Sequence, residues 1–581
     1  MNSQRLFQHF DRIAEAPDAV ARLRRFILDL AVRGKLVEQD PNDEPASELL
    51  MRIAAEKARL VKAGEIREKP WPSAVVGEEI PFAIPTGWRW SKFANLADFS
   101  AGRTPSRNDP SFWNSGEHAW VSIADMDDGQ VVIDTKETVS DKARERVFRT
   151  KPQLPGTVLM SFKLTIGKIA RLGIPAFHNE AIISIRPFLG DLDGYLFKVL
   201  PGFARQGDTK GAIKGATLNR DSISNILLPL PPLAEQHRIV AKVDELMALC
   251  DRLEAAQSER EQRRDRLVAA SLNRINQPAP SAEGESATAF REHARFHLDH
   301  LPRLTTRPEH IKSLRQTILD LAVRGRLVSQ DPNDESASDL LKRITAENAR
   351  LVTAGAIPRQ KEAARDATRL TDVLPSSWKV IALGDACKTV TSGSRGWAQY
   401  YANSGPGFIR AQNIRFGTLR LDGLASVSPP PNSEGSRTQV ARGDLLIVIT
   451  GAGVTNPALL DQDLGEAYVS QHVGLARPTF EQLSDWFLLC LMAPAGGRAE
   501  LIERAYGAGK PGLNLDNIRS LSVPLPPLAE QHRIVAKVDE LMVVCDQLEA
   551  QLTTTQTDSR RLLEAVLHEA LAPAMDEERA A

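Results

Sequence analysis

Four cations crowd one short stretch: Arg205, Lys210, Lys214 and Arg220 fall within 16 residues, interleaved with Gly207, Gly211 and Gly215. Glycine lets a backbone come close to a bound group, and lysine and arginine answer negative charge, so the pattern suits phosphate oxygens. A solvated surface loop is the plainer alternative. A shorter version returns late in the chain, from Arg504 to Lys510 with Gly507 and Gly509 between them. Two polar turns carry groups that can meet base edges, Thr104, Ser106 and Arg107 in one and Ser394 and Arg395 in the other. Ordinary turn chemistry uses the same residues. Lys163 follows a β-type run, as an edge residue or a backbone contact. Gln412, Asn413 and Arg415 follow the apolar run Phe408–Arg410. Amides suit adenine and arginine suits guanine, while loop capping needs the same amides.

Catalysis finds no comparable footing. There is no Gly-x-x-x-x-Gly-Lys-Ser/Thr phosphate loop and no Asn/Asp-Pro-Pro-Tyr of the adenine methyltransferase type. The four cysteines, Cys250, Cys387, Cys490 and Cys545, lack Cys-x-x-Cys spacing, and no His/Cys/Asp cluster has the spacing of metal ligands. They read as reduced thiols. His237 beside Glu235 and His532 beside Glu530 invite an acid–base reading, but a helix's first turn favours packing and end hydrogen bonds there. Trp113, Trp120, Trp397 and Tyr400 can stack on bases, yet a buried aromatic is the more ordinary role.

The elements that position these residues are duplicated. Pro229 to Met247 returns residue for residue as Pro524 to Met542. Each copy opens on paired prolines, where a helix tolerates a missing N–H. Apolar residues come next at Ile239, Val243, Leu246, Cys250 and Leu253, and at Ile534, Val538, Leu541, Cys545 and Leu548. This 4–3 spacing is a heptad seam that wants a partner helix. About 40 residues of helix would span roughly 60 Å. The arm before each globule also recurs: Leu28–Gly34 as Leu319–Gly325, and Asp40–Asp43 as Asp331–Asp334, a helix-start signature.

Between the repeats, turn-rich segments with short β-type runs diverge after Pro85-Thr-Gly-Trp88 and Pro375-Ser-Ser-Trp378. The reading is an α+β chain with a pseudo-twofold internal duplication. It comprises a helical arm (1–85), a globule (86–230), a long helix (231–276), a linker (277–307), a second arm (308–375), a second globule (376–525), a second long helix (526–572) and a tail (573–581). With a net charge of −1 over 581 residues, any nucleic-acid surface must be local. Lys and Arg outnumber Asp and Glu only by 18 to 15 over 91–225 and by 13 to 12 over 379–519, so clustering has to do what totals do not. Nothing in the sequence approaches the apolar run a membrane helix needs. The N-terminal residues do not read as a signal peptide, and a cytoplasmic protein is expected.

Leu230-Pro-Pro-Leu-Ala-Glu-Gln-His-Arg-Ile-Val240, present twice and each time after a variable globule, resembles the specificity subunit of type I restriction–modification systems. Gly102-Arg-Thr-Pro-Ser106, Trp120–Ile123, Ser161–Gly167, Asn179–Ile182 and Asn219–Leu230 come in that family's order. The second globule departs, with Ser392-Gly-Ser-Arg-Gly396 where Gly-x-Thr-Pro would stand. The resemblance implies a non-catalytic reader of double-stranded DNA. Each globule would read one half of a bipartite target. The long helices would pack as an antiparallel coiled coil and set the spacer. Two modification subunits would dock on the frame and bring S-adenosylmethionine, and restriction subunits would add ATP and Mg chemistry. No cofactor is expected in this chain. Arg33, Lys35, Arg324 and Arg326, with Glu235, His237, Glu530 and His532, would face the partner subunits.

Overall fold

In the computed structural model the described residues are 16, 18–67, 75, 80–206, 210–212, 215–277, 283–359, 374–430, 436–505 and 511–571. The chain divides into two compact units, one of residues 1–258 with 556–581, the other of 259–555. Each long helix, Leu233–Asn276 and Leu528–Leu571, thus begins in the unit of its own globule and ends among residues of the other.

The first globule holds a five-stranded sheet in the spatial order Ala97–Ala101, Ile182–Pro187, Val158–Ser161, Ile169–Leu172, Gln130–Val132, antiparallel except for the last pair. A three-stranded sheet of Glu137–Val139, Trp113–Val121 and Ala176–His178 sits beside it in the chain's topology. The second globule repeats the first four of these strands with Cys387–Ser392, Val473–Pro478, Leu445–Val448 and Pro457–Leu459, without a fifth in that sheet among the described residues, and repeats the second sheet with Ala425–Val427, Tyr401–Ile409 and Ala467–Val469. Two sequences that diverge almost throughout therefore share the order of seven strands, four in one sheet and three in the other. Most of their buried positions are apolar: Val158, Leu159, Met160, Ile182, Ile183 and Ile185 in one, beside buried Ser161 and Ser184, and Leu445 to Val448 and Val473 to Ala476 in the other, the latter broken only by a glycine.

An antiparallel clip closes each globule. Arg89–Lys92 pairs with Leu227–Leu230, and Lys379–Ala382 with Ser522–Leu525. The clip delivers the chain into the proline-led start of the long helix.

The seam of each long helix finds its partner inside its own unit. Ile239, Val243 and Cys250 are buried in one cluster with Val20 and Ile27 of the arm helix Ala19–Val32. Arg24 on that helix bonds Asp251 at 2.6 Å and Glu254 at 2.7 Å. The second unit repeats the arrangement with Ile534, Val538 and Cys545 against Ile311 and Ile318, and Arg315 on Asp546 at 2.5 Å and Glu549 at 2.8 Å. The heptad stripe is thus covered by the neighbouring arm. The segment 277–307, read as a linker, carries two helices, Glu283–Asp299 and Leu301–Leu304. Leu304 packs with Val268, Leu272 and Ile275 near the end of the first long helix.

Candidate nucleic-acid interface

One rim of each globule gathers the ends of several strands. In the first, Gly102 leaves the strand Ala97–Ala101 against the carbonyl of His178; a Cβ there would lie 1.9 Å from that oxygen and 2.5 Å from Asn179 O. Only glycine fits. Arg103 N donates to His178 O at 2.9 Å, and Thr104 donates its hydroxyl proton to the carboxylate of exposed Glu180. Beside them runs the hairpin turn 162–168. Phe162 N donates to Ala181 O at 2.9 Å, and Leu218 N donates to Phe162 O at 3.0 Å. Leu164 sits at the tip with φ 65° and 58 % exposed, a left-handed backbone that a leucine adopts only under constraint. Lys163 precedes it, half-buried, with its ammonium 5.4 Å from the Phe162 ring.

The second globule builds the same rim from other residues. A Cβ on Gly393 would lie 2.0 Å from Val469 O and 2.5 Å from Ser470 O. Ile449 N donates to His472 O at 2.9 Å, and Leu513 N donates to Ile449 O at 2.8 Å. Thr450 Oγ1 lies 2.6 Å from His472 Nδ1, and Gln471 Nε2 lies 3.2 Å from His472 Nε2.

Several candidate contacts lie on these rims and several do not. Ser106, Arg220, Arg395, Gln412 and Arg415 are exposed, and Ser394 is half-buried beside Gly393. Arg107 is exposed but committed: it makes a two-pronged pair with Glu137, one limb at 2.9 Å, and lies 3.8 Å over the Trp113 ring. Those hydrogen bonds hold the Glu137 carboxyl below its ordinary range, so Arg107 is a brace within the globule. Arg205 donates to Gly167 O at 3.0 Å and to Asp128 at 3.1 Å, pinning the hairpin turn. Arg498, which no sequence pattern singles out, does the same service by donating to Thr455 O. Asn413 is buried; it accepts from Arg410 N at 3.0 Å and donates to Arg420 O at 3.0 Å, which leaves no amide edge for a base. Arg504 donates to Asn517 O at 2.7 Å and Ser520 Oγ at 2.6 Å, joining two short helices. Asn413 and Arg504 are therefore structural. Lys210 lies in the strand Lys210–Ala212, paired to Thr217; Lys214 and Lys510 fall outside the described residues. Of the aromatics, Trp120 and Trp397 are buried, as the packing alternative had it.

The charged residues assigned to partner contacts mostly do internal work. Glu235 is buried and accepts from Trp88 Nε1 at 2.8 Å and from Gln39 Nε2 at 3.4 Å; Glu530 accepts from Trp378 at 3.0 Å and Gln330 at 2.6 Å. Burial pushes both carboxyls above their ordinary range, and those hydrogen bonds only partly offset it. Arg238 pairs with Asp43 at 2.6 Å and Arg533 with Asp334 at 2.7 Å. The repeated Glu-Gln-His-Arg thus locks the helix start to the arm. Arg324 donates to Asn276 O at 2.8 Å, and Arg326 to Ile275 O at 3.1 Å and Gln277 O at 2.5 Å, capping the end of the first long helix. Lys35 donates to Leu571 O at 2.9 Å and caps the second. Arg33 lies 4.3 Å over the Phe82 ring. His237 and His532 are exposed, as is Lys35, whose ammonium is spent on Leu571 O.

A frame built twice, holding two globules of one topology with different rims, defines a protein that presents two recognition surfaces. The type I restriction modification DNA specificity domain family matches the chain over residues 85–261 and again over 375–555, and the chain belongs to that family. It is 30% identical over 574 residues to the type I restriction enzyme EcoAI specificity subunit of Escherichia coli, spanning 95% of this chain and 94% of that one. It is 30% identical over 583 residues to the EcoEI specificity subunit of the same species, with the same coverage. The crystal structure of the HsdS subunit from Thermoanaerobacter tengcongensis aligns at 20% identity with a TM-score of 0.40, covering 85% of this chain and 99% of that one. The chain is accordingly a recognition subunit that does no catalysis. No helix among the described residues is long and apolar enough to cross a membrane.

Proposed function

We propose that each globule reads one half of a bipartite double-stranded DNA target through its rim. The observation that carries this is the rim built twice: the same close glycine contact, hairpin turn and strand end, decorated with different polar residues. Phosphates would be met by Lys163, Arg220 and the stretch around Lys210 and Lys214 in the first half, and by Arg395, Arg415 and Lys510 in the second. Base edges would be met by Thr104, Ser106, Ser394 and Gln412. Phosphate contacts fix register and base contacts give sequence. The two long helices would run antiparallel and set the gap between the half-sites. Two modification subunits would dock on the helical frame, with His237 and His532 within reach, and would supply S-adenosylmethionine and methylate adenine in each half-site. Restriction subunits would add ATP- and Mg-dependent translocation and cleavage. The assembly would work in the cytoplasm.

Single-molecule methylation mapping of DNA from cells holding this chain and its modification subunit tests the proposal. The expected result is two short half-sites around a fixed unspecified gap, with adenine methylated on both strands. A stable complex that methylates no such motif would sink the proposal and leave a scaffold that joins two globules.

A further inference from the structure

Glu180 and Gln471 stand at the same place on the two rims. The residue before each has its carbonyl against the close glycine, Asn179 under Gly102 and Ser470 under Gly393. The residue after each accepts the hairpin's first N–H, Ala181 from Phe162 and His472 from Ile449, both at 2.9 Å. Backbone contacts on either side thus fix both positions relative to the rim, and they are 291 residues apart, as are the two glycines (471 − 180 = 393 − 102). Both side chains are exposed. Neither packs into a core, and neither closes an ion pair among the described residues.

Their chemistry differs in the way a sequence reader requires. The Glu180 carboxylate is held by the Thr104 hydroxyl, which leaves acceptor capacity on its oxygens. Gln471 donates one amide hydrogen to His472 Nε2 at 3.2 Å, and His472 is itself held by Thr450 at 2.6 Å. The second amide hydrogen and the carbonyl oxygen of Gln471 remain available, a donor–acceptor pair that matches the N7 and N6 edge of adenine. A carboxylate accepts instead from the N4 amino group of cytosine. Resting on the DNA-reading function proposed above, we infer that Glu180 and Gln471 are matched base-reading residues, Glu180 selecting cytosine in the first half-site and Gln471 selecting adenine in the second.

The test uses the full chain assembled with its modification subunit. Methylation motifs are mapped for the wild type, Glu180→Gln and Gln471→Glu, with complex yield measured alongside. Glu180→Gln is expected to change one position of the first half-site, from cytosine towards adenine, leaving the second half-site and the gap alone. Gln471→Glu should do the converse in the second half-site. At the altered position the preference should shift by about tenfold to a hundredfold, the size of one good base contact. Unaltered motifs in both variants overturn the inference while leaving the function standing. So does a uniform loss of methylation at every position, which marks a backbone contact. A wild-type complex with no two-part motif overturns the function and this inference together.

Discussion

Glu235 and Glu530 show how much a single repeated residue can be asked to do. Each is buried, each receives an indole N–H, and each has its carboxyl pushed up by desolvation. Glu530→Ala should leave the buried Trp378 indole N–H without a partner, at about 1–3 kcal/mol for that one unsatisfied group, while exposed Gln330 turns to water. Urea denaturation of the complex-free chain would read the loss. The direction of the shift sets the sign with pH. A carboxyl that ionises later in the folded chain than in the unfolded one keeps its proton longer on folding, so stability falls as pH rises from the ordinary carboxylate range through the raised folded value. In Glu530→Gln, which has no such proton, that part of the pH dependence should vanish; an unchanged slope would show that Glu530 is not its source. At this scale the sequence misleads in an instructive way. Charge beside a helix start looks like a surface for a partner, because burial of a carboxylate depends on Trp88 and Trp378, which lie 147 and 152 residues away. Arg107, Arg205, Asn413 and Arg504 carry the hydrogen-bonding groups that suit DNA, and the same groups make them good internal braces. Residue type alone does not separate those two uses.

The elements are more legible, because periodicity is a local signal. The prolines, the apolar spacing and the Asp-Pro-Asn-Asp starts place both long helices and both arm helices. What covers a heptad seam is a tertiary fact, and the arm helix rather than a distant helix covers these seams. The two helices within 277–307 come after a stretch rich in proline and glycine, which reads as a linker. The helix ends make a separable prediction. Arg324→Ala with Arg326→Ala frees the carbonyls of Asn276, Ile275 and Gln277 and removes the guanidinium 4.7 Å from the Phe290 ring. Each lost bond should weaken the last turns of the first long helix by about 0.5–1.5 kcal/mol. Hydrogen exchange should quicken over 268–277 and stay unchanged near Ile239, which is held by the arm. Faster exchange along the whole helix would mean that the caps hold more than its end. The ion pair of Arg533 with Asp334 offers a second check on the frame. A double-mutant cycle should return a coupling of about 1 kcal/mol or less, since the arginine is 38% exposed and solvent screens it.

For the whole molecule, the duplication sets what can vary independently. Globule topology is common to both halves, while rim residues differ, so the sequence read and the gap between half-sites belong to different parts of the chain. Replacing 376–523 with a foreign globule of the family should therefore change one half-site and keep both the other half-site and the gap. If both half-sites moved, the globules would not be independent readers. The complementary change acts on the frame. Four residues inserted near Gln257 lengthen the first long helix by about 6 Å and rotate its downstream part by roughly one turn and a ninth. The stretch from Asp251 to Arg260 is largely exposed, so the insertion breaks little of the cluster that holds the helix start, whose buried members end at Cys250. Neither rim is touched. Methylation mapping should then return the same two half-sites with an altered gap. An unaltered gap in a stable, active complex would show that the long helices do not measure it, and the spacing would have to come from the modification subunits.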